Sequence, residues 1–182
     1  MATQSFTTTV DNTPPAASDV QSTNVSGGTV GRLDKGDSFT LTYTSTMDPY
    51  SILSGWTGAT TDVAVGPVDG GGTTSDYLQV YTAASTPTSL TQIAVGTVYL
   101  NSPNYIDAGT YMTFGISSAV PSTMTQNGAS ITIVLGTPST TPDTNTTPKA
   151  MTWTPSTTAM DIAGNANTAT TVTQSGTVRV NF

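Results

Sequence analysis

The chain lacks histidine, cysteine and glutamate altogether, and only four of its 182 residues are basic. Without histidine or cysteine it cannot build a Ser-His-Asp triad, a Cys-His pair, or a zinc site based on imidazole or thiolate. Disulfides are excluded as well, which fits either a reducing compartment or an exposed protein that folds without them. Four scattered cations cannot neutralise many phosphates, and the net charge of −7 argues against nucleic acid and anionic membrane surfaces. No apolar run approaches the roughly 20 residues that a membrane-spanning helix needs. The start, from Met1 to Thr9, has neither a basic nor an apolar stretch, so it does not read as a signal peptide.

What is present is a large excess of threonine, with serine, glycine, proline and eleven aspartates as the only acids. Such a chain is poor in helix formers and rich in strand and turn formers. Threonine suits a half-buried pleated surface, because its β-branch favours strands while its hydroxyl tolerates water. Charged residues make up only 8% and the apolar ones are patterned, so the chain reads as folded. At this length it can bury roughly 70% of its unfolded surface without help from metal or disulfide.

The patterning has a period of two. Phe39, Leu41 and Tyr43 alternate with Ser38, Thr40 and Thr42; Met112, Phe114 and Ile116 repeat the pattern, as do Ile131, Ile133 and Leu135. Val178, Val180 and Phe182 close the chain with Arg179 and Asn181 expected to point outward. Alternation of this kind predicts antiparallel sheet with one face buried. Further strands are expected at 4–10, 19–24, 62–68, 76–83, 92–100 and 149–153. Between them stand turn signals: Asn12-Thr-Pro-Pro15, Gly27-Gly28, Asp69 to Gly72 and Asn127-Gly128. One helical turn is expected at 47–53, with Asp48 as cap and Pro49 at the first helical position. Roughly ten strands over this length predict one Greek-key β-sandwich with elaborated loops, spanning 1–182. Residues 1–16 form an N-terminal arm or strand, and 137–148 an exposed polar loop.

Three turn motifs, Val10-Asp-Asn-Thr-Pro-Pro15, Gly36 to Pro49 and Asp161-Ile-Ala-Gly-Asn165, resemble those of bacterial immunoglobulin-like surface modules. Val10-Asp-Asn-Thr-Pro-Pro15 resembles their Asp-x-x-x-Pro lead-in. Gly36 to Pro49 resembles a Gly-Asp-x-hydrophobic strand followed by a Met-Asp-Pro turn. Asp161-Ile-Ala-Gly-Asn165, after Trp153-Thr-Pro-Ser156, resembles the Asp-x-Ala-Gly-Asn turn before their last strand. The resemblance implies an immunoglobulin-like fold, used in that family for spacing, display or adhesion and also found on phage virions. Fold does not establish function.

Few residues suggest chemistry. A paired-carboxylate hydrolase needs two aspartates facing one cleft, and no pair is singled out by spacing. Gly70, Gly71 and Gly72 lack the spacing and the lysine of a phosphate-binding loop. Asp34, Asp37, Asp107, Asp161 and Asn165 lie in turns and could offer oxygen to a structural calcium, without EF-hand spacing. The simpler reading of 161–165 is a turn in which Asp or Asn bonds its own backbone. Trp56, Trp153, Tyr50, Tyr77, Tyr81, Tyr99, Tyr105 and Tyr111 offer a carbohydrate platform or, more simply, core packing. Asn24 and Asn145 head glycosylation sequons that a threonine-rich chain acquires by chance.

The expectation is therefore a non-enzymatic immunoglobulin-like structural protein with no catalytic, cofactor or metal residues, decorating or reinforcing a phage head or tail. Its partners would be a capsid or tail lattice and further copies of itself, through poorly protected sheet edges. The alternatives are an adhesin or stalk module at the cell surface, stiffened by calcium, and a glycan-binding module.

Overall fold

The computed structural model describes residues 10–70, 75–83, 90–107, 109–116 and 120–182. They form an all-β structure with one short helix. The strands are β1 (Ala17–Thr23), β2 (Ser38–Tyr43), β3 (Thr61–Val68), β4 (Tyr77–Thr82), β5 (Gln92–Tyr99), β6 (Ser122–Asn127), β7 (Ser130–Val134), β8 (Thr152–Thr154) and β9 (Val172–Thr173). The helix α1 (Pro49–Ile52) lies between β2 and β3. The expected start signal operates there: Asp48 caps the helix by accepting the Tyr50 N–H at 3.1 Å, and Pro49 opens it.

Every pairing is antiparallel, in one sheet of order β1-β2-β7-β6-β3-β4-β5-β8-β9. The sheet curls until its edges nearly meet. Side chains, rather than a backbone ladder, bridge the seam. The Asp19 carboxylate accepts the Ser175 N–H and hydroxyl, each at 2.9 Å, and Gln21 Nε2 donates to the Ser175 carbonyl at 3.0 Å. Arg179 Nη2 donates to the Ser22 carbonyl at 2.6 Å. Because neighbours alternate in direction, odd-numbered strands finish at one end of this near-barrel and even-numbered strands, with α1, at the other. These are called the far end and the helix end below.

Alternation sorts the side chains as expected. Val20, Phe39, Leu41, Tyr43, Leu78, Val80, Ile131 and Ile133 all point into one core, closed around the fully buried Trp153. The Trp153 indole meets Tyr43 edge-on at 4.8 Å and donates to the Val95 carbonyl at 2.8 Å. Outside, threonine is used in pairs: Thr40 and Thr132 are cross-strand partners with hydroxyls 3.0 Å apart, and Thr42 meets Ser130 at 3.2 Å. Hydroxyl pairing of this sort stabilises a solvated sheet face without charge, which accounts for the composition.

Glycine is required at several positions, of which two shape the strands. Gly128 (φ +58°) opens the two-residue hairpin between β6 and β7, a position where an L side chain is strained. Gly96 (φ +89°) lies in a break of register in β5, where a Cβ would fall 2.1 Å from the Thr154 carbonyl.

Several expectations need correction. Residues 178–182 form no strand: Val178 is exposed, Asn181 is buried, and contact with the fold is made by separate hydrogen bonds. Asn181 turns inward because the Ser22 hydroxyl donates to its Oδ1 at 3.0 Å and its Nδ2 donates to the Lys149 carbonyl at 2.6 Å. Met112, Phe114 and Ile116 are buried as the pattern requires, yet only Phe114 pairs, bridging Val65 where β6 has ended. The strand expected at 149–153 is the shorter β8. The strand expected at 4–10 lies, but for Val10, outside the described residues. The 137–148 loop is exposed over much of its length and anchored by the buried Pro142 and Asn145.

Candidate functional surfaces

The aspartates are the only abundant ionisable groups, so their placement decides what chemistry this fold can carry. Aspartate has one methylene, which keeps its carboxylate within reach of nearby backbone N–H groups. Asp37 accepts the Val25 N–H at 2.8 Å and the Asp34 N–H at 2.7 Å. Asp76 accepts the N–H groups of Tyr105 at 2.9 Å and Ile106 at 3.2 Å through one oxygen, and that of Gly70 at 3.5 Å through the other. Both carboxylates are fully buried. Burial pushes both above the ordinary aspartate value, outweighing the opposing pull of the amides they accept.

Asp161 closes its own turn by accepting the Ala163 and Asn165 N–H groups at 2.9 Å and Asn165 Nδ2 at 3.1 Å. Burial works against ionisation at Asp161 and at the seam residue Asp19. Hydrogen bonds from Asn165 and Ala163, and from Ser175 and Gln21, prevail and hold both below the ordinary value. Asp34 is held below it in the same way, against burial, by the Arg32 guanidinium at 2.7 Å and the Thr29 N–H.

The oxygen ligands proposed for calcium are dispersed. Asp34 and Asp37 share one loop, Asp161 and Asn165 another, and Asp107 stands beside Asp143 in a shallow polar recess with Asn104 and Thr144. Burial, followed by the neighbouring Asp107, raises the Asp143 carboxyl. Among the described residues no three acidic groups gather to hold a metal ion.

The aromatic residues divide more sharply. Both tryptophans are buried; Trp56 donates to the Ala59 carbonyl at 2.6 Å, so neither offers a flat face to solvent. Tyr105 is buried too, donating to the Asn181 carbonyl at 3.0 Å. Four other tyrosines share the outside of β4 and β5. Tyr77 and Tyr99 are cross-strand partners with ring centres 5.7 Å apart, and Tyr81 lies across β3, its hydroxyl donating to Gln79 Oε1 at 2.6 Å. Gly66 beneath that ring makes room, since a Cβ there would come within 2.9 Å of it. Tyr111, exposed on a neighbouring loop, is near enough to Tyr81 to raise its phenol, after the larger effect of burial. Beside this strip β8 departs from β5 at Thr154, opening a cleft of about 410 Å³ lined by Gln92, Tyr99, Thr154, Ser156 and Thr158.

Neither sequon presents a free amide. The Asn145 side chain is buried, accepting from Ser102 Oγ and the Thr147 N–H and donating to the Thr147 carbonyl. Both polar atoms of Asn24 are buried as well. Sequence reasoning offered Tyr77, Tyr81, Tyr99 and Tyr111 among the platform residues without showing which of them meet, and it missed the role of Asp76, whose partners lie far along the chain. No family model, characterised protein or solved structure matches this chain.

Proposed function

We propose that this chain is a non-enzymatic structural protein displayed at a surface, in its most concrete form an immunoglobulin-like protein that decorates or reinforces a phage head or tail. The observation that carries the reading is the use of the carboxylates. The buried aspartates are committed to backbone N–H groups of loops, as are the turn and seam aspartates, so much of the acidic chemistry holds loops; Asp107 and Asp143, side by side in a polar recess, are not among them. An exterior laced by neutral hydroxyl pairs over one continuous core suits a module that must stay ordered in solvent.

The strand order supports the fold side of this reading. β3, β4 and β5 follow one another as neighbours, and β6 returns by a long connection to lie beside β3, an order compatible with a Greek key within the one nearly closed sheet. The immunoglobulin-like assignment itself rests on the turn motifs and this order. Partners would be capsid or tail proteins, with cofactors playing no part. Immunogold labelling of particles and cell envelopes from the native source tests the reading. Regular labelling of heads or tails is expected, whereas labelling confined to the envelope would replace it with the adhesin or stalk module.

The tyrosine strip beside the β5–β8 cleft favours a second reading, a glycan-binding surface, because exposed rings flanked by hydroxyls suit sugar stacking. Saturable quenching of tyrosine emission by an oligosaccharide, lost in Tyr99→Ala, would select it.

A further inference from the structure

The two ends of the near-barrel differ in charge and in what they expose. All four cations, Arg32, Lys35, Lys149 and Arg179, belong to segments at the far end. Among the described residues the helix end has none and carries the accessible Asp11 and Asp48, with Asp161 buried in its own turn. It also exposes apolar side chains: Tyr50, Met160 and Ile162 are 63%, 40% and 75% exposed. They are brought together because the segment around Met160 lies along α1. Asp48 N–H donates to the Met160 carbonyl at 2.8 Å, Met160 N–H donates to Ser51 Oγ at 2.9 Å, and Ile162 N–H donates to the Thr46 carbonyl at 3.3 Å. Among the described residues, Tyr50 and Ile162 leave most of their surface uncovered.

At the far end a second apolar pair is exposed, Val30 at 64% and Val178 at 53%. Val178 begins the C-terminal segment and Val30 lies next to it in space, for the segment is tied down by Gly31 N–H on the Phe182 carbonyl at 2.7 Å and Lys149 N–H on the Arg179 carbonyl at 3.1 Å. Val30 and Val178 therefore share a corner with Lys149 and Arg179. Asp34 and Asp37 share the loop of Val30, but Asp34 is paired with Arg32 at 2.7 Å and Asp37 is buried, while Asp69, Asp107 and Asp143 belong to the other loops of this end.

We propose that copies of this chain stack head to tail. The helix end of one copy, with its exposed Tyr50, Met160 and Ile162 and its carboxylates Asp11 and Asp48, seats on the Val30, Lys149, Val178 and Arg179 corner of the next. Charge selects this pairing over the symmetric ones. Two helix ends would set carboxylate against carboxylate with no cation between them, and two far-end corners would set cation against cation. A contact between unlike surfaces leaves one of each unused, so it propagates into a file or closes into a ring. The proposal is independent of which particle or envelope carries the protein.

The test uses the full chain alone. Sedimentation velocity over a concentration series should show reversible association that weakens as salt is raised. Ile162→Asp and Lys149→Glu should each weaken it by about tenfold, the loss expected from removing one apolar anchor or a charge pair. Unchanged melting curves check that both variants fold. Because the chain has no cysteine, two single variants settle the geometry. Ile162→Cys mixed with Val178→Cys should give a disulfide-linked dimer on oxidation, while either variant alone should stay monomeric in a denaturing gel. A chain that is monomeric at every concentration would overturn the proposal. So would association indifferent to Ile162→Asp and Lys149→Glu, or cross-linking of either cysteine variant with itself as readily as in the mixture.

Discussion

Asp76 offers the sharpest test of the idea that aspartates hold the loops. Its carboxylate is fully buried and receives the Tyr105 and Ile106 N–H groups at 2.9 and 3.2 Å on one oxygen, with Gly70 N–H at the limit of hydrogen bonding on the other. Asp76→Ala removes that acceptor and leaves two buried amides unpaired, each costing about 1–3 kcal/mol, so a loss of about 4 kcal/mol is expected. Asp76→Asn keeps one oxygen able to serve both amides and sacrifices only the long contact to Gly70, so about 1 kcal/mol is expected. The separation of about 3 kcal/mol is large against a typical domain stability of roughly 5–15 kcal/mol. Guanidinium unfolding followed by the emission of buried Trp56 and Trp153 measures both variants, and equal m-values confirm that midpoints can be compared. Equal losses in Ala and Asn, or an Ala loss under about 1 kcal/mol, would refute the reasoning.

Three further outcomes follow from the same geometry. Asp37→Glu inserts a methylene where no space remains and displaces the acceptor from Val25 and Asp34, so it should cost about 1–3 kcal/mol by the same unfolding assay. Trp153→Phe keeps a ring against Tyr43 but loses the bond to the Val95 carbonyl and part of the packing, with an expected cost of about 2 kcal/mol and a lower melting temperature. The pH dependence is fixed by sign. Asp37, Asp76 and Asp143 are raised, so above the unfolded value of 3.8 the folded state holds their protons more tightly; their contribution grows as pH falls through their folded values. Asp19, Asp34 and Asp161 are lowered, so their contribution is present above 3.8 and is lost as pH falls below it. Calorimetric melting temperatures should therefore hold or rise from pH 7 to about 4 and drop below it; a steady fall beginning near pH 6 would contradict this.

Much of the fold was legible because two-residue alternation is a local signal. β2, β4 and β7 have apolar residues at every inward position, and β1, β3 and β5 follow within a residue or two. β6 escaped because its inward positions are Ser122 and Met124, one apolar residue in a threonine-rich run that reads as loop. The final Val-Arg-Val-Asn-Phe misled for the opposite reason: its pattern fits a strand, but Asn181 finds buried polar partners in Ser22 and Lys149, and a hydrogen-bonded amide outweighs alternation. The Asp161 turn and the Asp48 cap were readable because their partners lie within four residues. Asp76 was not, since its partners are about thirty positions away. The tyrosine strip was half legible for the same reason: Tyr77 and Tyr81 share a strand, while Tyr99 and Tyr111 reach it through the fold.

The most direct measurement of the central claim, that carboxylates hold the loops of a rigid structural module, is native-state hydrogen exchange of the four loop amides that Asp37 and Asp76 accept at 3.2 Å or less. Val25, Asp34, Tyr105 and Ile106 lie outside every strand yet should exchange as slowly as ladder amides of β2 and β7, opening only with the whole fold. Exchange of these four at the rate of free loops, while the strands stay protected, would contradict the account.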